Sequence, residues 1–354
     1  MHMTQMTPRE RWLAYFNDKP VDRLPTDYWA TAEFHQRFKA DLGVSDDEAL
    51  WRKLSIDRPA GISPRHLVSH HPHDASADMW GVRYASIDYG TGQYHEVSHS
   101  PLAAMTTVDE IDGYKWPTVE ALDFSGIPEQ VRALGSYRPI QGGYYEPFLL
   151  YCSLRGMEQA YEDLLLNPEI AHVILDHIFN YHYDALRGTL EAAGGKVDFT
   201  YIAEDLGSQT GPLIGLETYR TFLMPLQKKM ADLARQHGVH IFYHTDGAAH
   251  IFLPDLTGVV GIEVLNPIQW RCPGMEREGL AANFGKKLIF HGAIDNQQTL
   301  PFGTPEDVRQ EVRDCARMFK GCRWICGPCH NIQAVSPTAN VVAMYEEASR
   351  LIWP

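Results

Sequence analysis

The chain has 354 residues, 44% of them hydrophobic, with a formal charge of -14 and a pI near 5.6. That length and apolar content suffice for one large α/β barrel or two smaller domains, and with no Gly/Ser/Pro-rich or charged linker a single domain over 1–354 is expected, with an insertion at 60–125. An acidic balance with no basic stripe excludes a nucleic-acid partner; apolar runs too short for a bilayer and a start, Met1–Gln5, without a signal-peptide core predict a cytoplasmic protein without membrane contact.

Thr7 and Pro8 read as the cap and first residue of a helix over 7–16. Leu24–Trp29 reads as a short extended segment, followed by a helix to about residue 42. One more strand is expected within 55–70. The Pro-, Gly-, His- and Asp-rich stretch 60–125 predicts a small antiparallel sheet, with extended pieces such as Gly92–Val97. From residue 138 strand and helix alternate. Strands are predicted at Pro139–Tyr144, Val197–Ala203, Val239–Tyr243, Val259–Leu265, Lys287–Ala293 and Arg323–Gly327. Helical patterns fall near 156–165, 169–193, 217–237, 249–256, 275–285, 305–319 and 337–352. The alternation predicts a parallel sheet with helical crossovers, and the strand count favours a closed (β/α)8 TIM barrel over an open doubly wound sheet. No G-x-G-x-x-G or Walker-type loop is present to support nucleotide chemistry.

In such a barrel the reacting groups sit at the C-terminal strand ends. Those ends read Asp27, Tyr28 and Trp29; Tyr144, Tyr145 and Glu146; Glu204 and Asp205; His244 and Asp246; Asn266; Asp295 and Asn296; and Cys326, Cys329 and His330. Some of these acids read equally well as caps of the following helix. Residues i and i+2 of a strand share a side, so His244 and Asp246 can address one atom. With Cys329 or His330 as a third donor they form a zinc-type set with an open position. The same pair also reads as a metal-free hydrogen-bonded unit. Six cysteines (Cys152, Cys272, Cys315, Cys322, Cys326 and Cys329) suit reduced thiols better than a disulfide framework. Cys322 begins its strand and reads as core, Cys272 as a reserve ligand, and His70, His71 and His73 as surface loop histidines. The aromatic residues near the mouth, Tyr28, Trp29, Tyr144, Tyr145, Phe148 and Tyr243, suit either a flat ligand or barrel packing.

Asp78–Val82, Arg155–Glu158, Glu204–Gln209 and the tail Gly327–Gln333 with Ser336-Pro337 and Asn340–Glu346 resemble the uroporphyrinogen decarboxylase superfamily over nearly the whole chain. The resemblance implies a distorted (β/α)8 barrel with its site at the C-terminal mouth. The decarboxylases carry two substrate-binding arginines where this chain reads Leu24–Thr31, which contains none. The cobalamin-associated zinc methyltransferases of the superfamily carry His-x-Cys and a later Cys; here His244-Thr245-Asp246 puts a carboxylate in place of the first thiolate.

The resemblance therefore implies a methyltransferase moving a methyl group between a small substrate, such as a methoxylated aromatic, and a corrinoid protein. Zinc would be its Lewis acid, held by His244, Asp246 and Cys329 or His330. Glu204 or Asp205 would be catalytic, and Asp27, Tyr28, Trp29, Tyr145 and Glu146 would bind substrate. The chain lacks the Asp-x-His-x-x-Gly motif for ligating cobalamin, so that cofactor would arrive on a partner protein. A homodimer is a further expectation from the superfamily. The enzymatic alternative is a cofactor-free decarboxylase or lyase using Arg83, Arg155 or Arg271 as its cations, and the third reading is a binding protein with the same pocket.

Overall fold

The computed structural model describes residues 5–88, 90, 93–351 and 353. Met1–Thr4 of the expected signal-free start, Gly92 of the predicted extended piece and Ile352 of the last predicted helix lie outside the described residues. Among the described residues seven strands form one parallel sheet in chain order. They are β1 (Ala60–Ile62), β2 (Ile140–Tyr145), β3 (Phe199–Ala203), β4 (His240–His244), β5 (Val264–Asn266), β6 (Ile289–Ile294) and β7 (Arg323–Pro328). Helices cover the intervals, and the sheet curls into a distorted (β/α)8 barrel. Its inner and outer faces are both buried, which is why β6 has six consecutive buried residues, apolar except for His291.

The gap between β7 and β1 is bridged by the segment predicted as the first strand. It makes a single parallel bridge, Thr26 to Cys326, instead of a strand. Asp27 donates its N–H to the Cys326 carbonyl at 2.9 Å, Cys326 donates to Pro25 at 2.9 Å, and Asp57 donates to Thr26 at 2.9 Å. Asp57, fully buried, anchors this closure. Its carboxylate lies 2.8 Å from both Arg11 and Arg23 and accepts the Thr26 N–H at 3.1 Å.

The first helix, Pro8–Phe16, starts as predicted. Thr7 accepts the Glu10 N–H while the Glu10 carboxylate accepts the Thr7 N–H. Its Trp12 stacks on Phe199 at 5.3 Å and on Phe242 at 6.2 Å, so the helix packs against β3 and β4. The long helix Pro168–Ala193 begins after Asn167 and ends at Gly194, which takes the left-handed conformation that glycine adopts without a steric penalty.

One predicted strand starts later than expected, and one further helix is present. Val259 and Val260 belong to a helical turn, Leu256–Val260, and β5 begins only at Val264. A helix that the sequence pattern did not suggest, Pro147–Arg155, follows β2 directly. The stretch after β1 carries two small antiparallel pairs, Arg83–Asp88 with Gln93–His99 and Arg65–His66 with Leu122–Asp123. Within it His71 is buried against Tyr114 and its Nε2 lies 3.2 Å from the Lys115 carbonyl, so it is not a surface histidine. Among the described residues no helix is long and apolar enough to cross a membrane.

Candidate metal and catalytic site

The alternation of side chains along each strand decides which residues reach the mouth. At the end of β2, Tyr144 and Glu146 share the inner side, where the Tyr144 hydroxyl donates to the Glu146 carboxylate and its ring stacks on Tyr201 at 5.5 Å. Tyr145, between them, points outward and packs on Phe179 and His182. After β3, Asp205 turns inward and Glu204 outward. After β4, His244 and Asp246 both turn inward, as their spacing predicts.

His244 is 7% exposed and packs beside two rings, Trp29 and Tyr201, each with its centroid 5.8 Å away. Its Nδ1 lies 2.7 Å from the Asn266 side-chain oxygen. Its Nε2 faces Asp205 at 3.6 Å and Asp246 at 3.8 Å. His330 Nε2 approaches the other oxygen of Asp246 at 3.4 Å.

Two glycines bring the acid-bearing loops together. A Cβ at Gly247, where φ is +72°, would lie 2.5 Å from the Gly207 carbonyl oxygen, and a Cβ at Gly207 would collide with the Ala248 main chain. With only hydrogens there, the loops meet backbone to backbone. Ala248 donates to the Ser208 carbonyl at 2.9 Å, and the Asp246 N–H reaches the Asp205 carboxylate at 3.3 Å.

Asp205, His244 and Asp246 offer ligand atoms within 4.8 Å of one another, the one such group of metal-binding side chains among the described residues. A tetrahedral zinc with bonds of about 2.0–2.2 Å would set its ligand atoms roughly 3.3–3.6 Å apart, close to the 3.6 and 3.8 Å between His244 and the two carboxylates. Asp246 Oδ1 is buried with no hydrogen-bond partner, a costly state for a carboxylate oxygen that a bound cation would relieve. The donor set therefore fits a divalent ion.

Proton affinities follow from the crowding. Burial opposes charge on His244, but Asp205 and Asp246 outweigh it and raise its pKa. Burial, with Asp205 adding to it, raises Asp246 against the pull of His244 and His330. Asp205 is held below the usual carboxylate range, because the approach of His244 and the Asp246 N–H outweigh its burial. Burial and then the charges of Asp205 and Asp246 raise Glu146 despite the Tyr144 bond.

Several sequence expectations change here. Cys329 does not join the cluster; its thiol donates to the Ile268 carbonyl at 3.1 Å, and burial pushes its pKa far up. His330, its neighbour, is the residue that approaches. Cys272 likewise faces Gln209 and Gln269, not the ligand group. Glu204 is fully buried behind the barrel wall, where it accepts the Phe148 N–H at 2.8 Å at the start of helix Pro147–Arg155. That places it away from the mouth. Tyr28 is buried among Phe38, Trp51 and Tyr345, and Tyr145 faces the helices, so neither lines the pocket. Asp27 is engaged below the site by Trp29, His291 and Arg58, leaving it no free face for a substrate. Trp29 and Glu146 do reach the mouth.

The cations expected for carboxylate recognition are committed elsewhere: Arg83 to Asp74, Arg155 to Asp163 and Arg271 to Asp295. Residues the sequence reading passed over include His291, Tyr201 and Arg58, the last lying 5.9 Å over Trp29. Asn266 was visible as a strand end, although nothing in its spacing marked its contact with two histidines. Above the cluster a cavity of about 590 Å³ opens between Asp246, His330, Gln209, Gln269, Asn296 and Phe302.

A parallel barrel with a His/carboxylate cluster at its C-terminal mouth defines the class. The chain belongs to the uroporphyrinogen decarboxylase (URO-D) family, whose model matches residues 86–351. It is 25% identical over 351 residues to the methylcobamide:CoM methyltransferase MtbA of Methanosarcina acetivorans, covering 97% of this chain and 98% of that protein. It is 26% identical to a methylated-thiol–coenzyme M methyltransferase of Methanosarcina mazei, over 88% of this chain and 82% of that one. A uroporphyrinogen decarboxylase of Parasynechococcus marenigrum matches at 24% over 52% of this chain and 49% of its own length. Among solved structures, a methyltransferase from Methanosarcina mazei superposes with a TM-score of 0.68 at 17% identity, covering 97% of this chain and 98% of that one, a likeness of fold.

Proposed function

We propose that the chain is a single-domain, metal-dependent methyltransferase that moves a methyl group between a small methylated substrate and a corrinoid carried by a separate protein. The observation that carries this reading is the unpartnered Asp246 Oδ1 beside His244 Nε2 and Asp205. Full-length similarity to the methyltransferases supports it, whereas the decarboxylases match over about half of the chain.

His244, Asp205 and Asp246 would hold the ion, with His330 beside Asp246. Zinc bound there would supply the positive charge that lowers the proton affinity of a substrate heteroatom. With Cys329 turned away, every donor is nitrogen or oxygen. Two carboxylates offset a divalent charge, and the absence of thiolate donation favours an oxygen or nitrogen substrate, a methoxylated aromatic being the suggested class. Trp29, Tyr201 and Tyr144 present ring faces around the cluster and exclude water from one side. Glu146, with its raised pKa and its bond from Tyr144, is placed to give a proton to the substrate oxygen or nitrogen whose bond to the departing methyl group breaks. Asp205, Asp246 and Glu146 make the mouth acidic, which disfavours the multiply anionic substrate of a porphyrinogen decarboxylase.

The test is elemental analysis of the purified protein, followed by assay of methylcobalamin formation from methoxylated aromatics. Stoichiometric zinc and methyl transfer that stops on chelation are expected. Undiminished transfer after complete removal of metal would refute the role of the ion.

Zinc affinity should also depend on pH. Asp205 and Asp246 raise the His244 pKa, so below that value a proton must leave before His244 can ligate. The apparent affinity is expected to fall about tenfold per pH unit as the pH drops below the His244 pKa, and to level off above it. Competition with a chelator of known affinity across neutral pH reads this slope.

A further inference from the structure

Four buried polar side chains form one unbroken hydrogen-bonded line inside the barrel. Asp27 Oδ2 lies 3.0 Å from His291 Nε2, His291 Nδ1 lies 2.7 Å from the Asn266 amide nitrogen, and the Asn266 amide oxygen lies 2.7 Å from His244 Nδ1. The line crosses from the closure segment through β6 and β5 to β4 and ends beneath the acidic cluster. Its most exposed member is His244, at 7%.

The direction of every hydrogen in this line follows from its far end. Asp27 accepts the Tyr28 N–H at 2.8 Å and the Trp29 indole N–H at 3.0 Å, with the Arg58 guanidinium at 3.3 Å. These donors suit the ionised, acceptor-only form of the carboxylate. Against such an acceptor His291 Nε2 carries the proton, and the Nδ1 of the neutral ring is left as an acceptor. It takes an N–H from Asn266, which turns the amide oxygen toward His244. That oxygen needs a donor, so the His244 proton sits on Nδ1. The opposite amide orientation requires a second proton on His291 and moves the His244 proton to Nε2.

We propose that Asp27, His291 and Asn266 are positioning residues that keep the His244 proton on Nδ1 and so present Nε2 as the ligating atom to Asp205 and Asp246. A nitrogen ligates only through its lone pair, and the bond made by one ring nitrogen fixes the state of the other. This inference deepens the metal reading above and rests on it for its purpose, although the arrangement itself exists without an ion. It also accounts for the burial of Asp27, which the sequence marked as a substrate contact.

The experiment is nitrogen-15 NMR of histidine-labelled, metal-free protein at alkaline pH, with the His244 signal assigned by its loss in His244→Ala. The expected result for the natural sequence is a pyrrole-type Nδ1 and a pyridine-type Nε2. Asn266→Leu should shift His244 toward the Nε2–H form and weaken zinc binding about 10–100-fold. Asn266→Asp retains an acceptor at Nδ1 and should keep both the tautomer and most of the affinity, a rescue that loss of packing alone would not produce. An Nε2–H ring in the natural sequence, or an unchanged tautomer in Asn266→Leu, would overturn the proposal. The unsubstituted protein decides the matter by itself should Asn266→Leu fail to fold. Nδ1–H without any zinc binding would support the hydrogen-bonded line while removing the metal reading, and zinc binding with Nε2–H would do the reverse.

Discussion

Asp246→Asn is expected to yield a folded protein that has lost its zinc and its methyl transfer together. The substitution keeps the side chain's shape and the His330 contact but removes the negative charge from the oxygen left without a partner 3.8 Å from His244. Loss of a direct ligand charge should cost more affinity than the roughly 10–100-fold typical of an outer supporting partner. His244→Ala should do the same. Elemental analysis after dialysis reads the metal, and a circular dichroism spectrum unchanged from the natural sequence shows that the fold survives. Full zinc occupancy in both variants would mean that the cluster is not the metal site.

Asp57→Ala should be among the most destabilising single substitutions in the chain. Asp57 is completely buried and holds Arg11, itself 2% exposed, together with Arg23 and the Thr26 N–H. Removing the carboxylate strands a buried guanidinium with only part of its partners, a change worth about 3–5 kcal/mol. The loss falls on the barrel's closure, because Thr26 and Asp57 join the bridge at Cys326 to the approach of β1. A urea denaturation midpoint well below that of the natural sequence is expected. Glu129→Ala, which removes an exposed helical pair with Arg132, should leave the midpoint where it was. Equal midpoints for Asp57→Ala and the natural sequence would show that closure does not depend on this carboxylate.

The parts of the fold legible in the sequence are those whose signal is local. β3, β4, β6 and β7 are short buried runs bounded by turn residues, and the helices at Pro8 and Pro305 carry their caps beside them. Helix Pro147–Arg155 was hidden because Glu204, 56 residues downstream, supplies a partner for its first turn, so no nearby cap advertised it. Val259 and Val260 look like strand residues, yet the chain is still turning there and reverses only at Gly261, where φ is +76°. The first strand dwindled to a bridge because its second edge meets the carboxylate and N–H of Asp57 instead of a regular neighbour.

The period of two decides which strand-end residues share a side, and the sequence reading applied it at only one strand end. His244 and Asp246 were paired by that rule, and the structure brings them to one point. The same rule separates Tyr144 and Glu146 from Tyr145, Asp205 from Glu204, and Trp29 from Tyr28, yet adjacent residues at those strand ends were assigned together. Cys329 and His330 lie past the regular end of β7, where alternation gives no guidance; the Cys329 N–H bonds the Ile294 carbonyl and its thiol turns to Ile268. His291 sits mid-strand between Phe290 and Gly292, and only the spatial approach of Asn266 and Asp27 gives it a chemical context.

The contact between Gly207 and Gly247 has a consequence for what evolution can tune. The spacing of the two loops that carry Asp205 and Asp246 is gauged by main chain resting on main chain, with no side chain in between to lengthen or shorten it. Two descendants of this barrel that keep both glycines would inherit one common separation at this point, whatever the rest of their sequences do. Change in the chemistry would then come through exchange of the donor atoms at positions 205, 244, 246 and 330, on a frame that stays the same size.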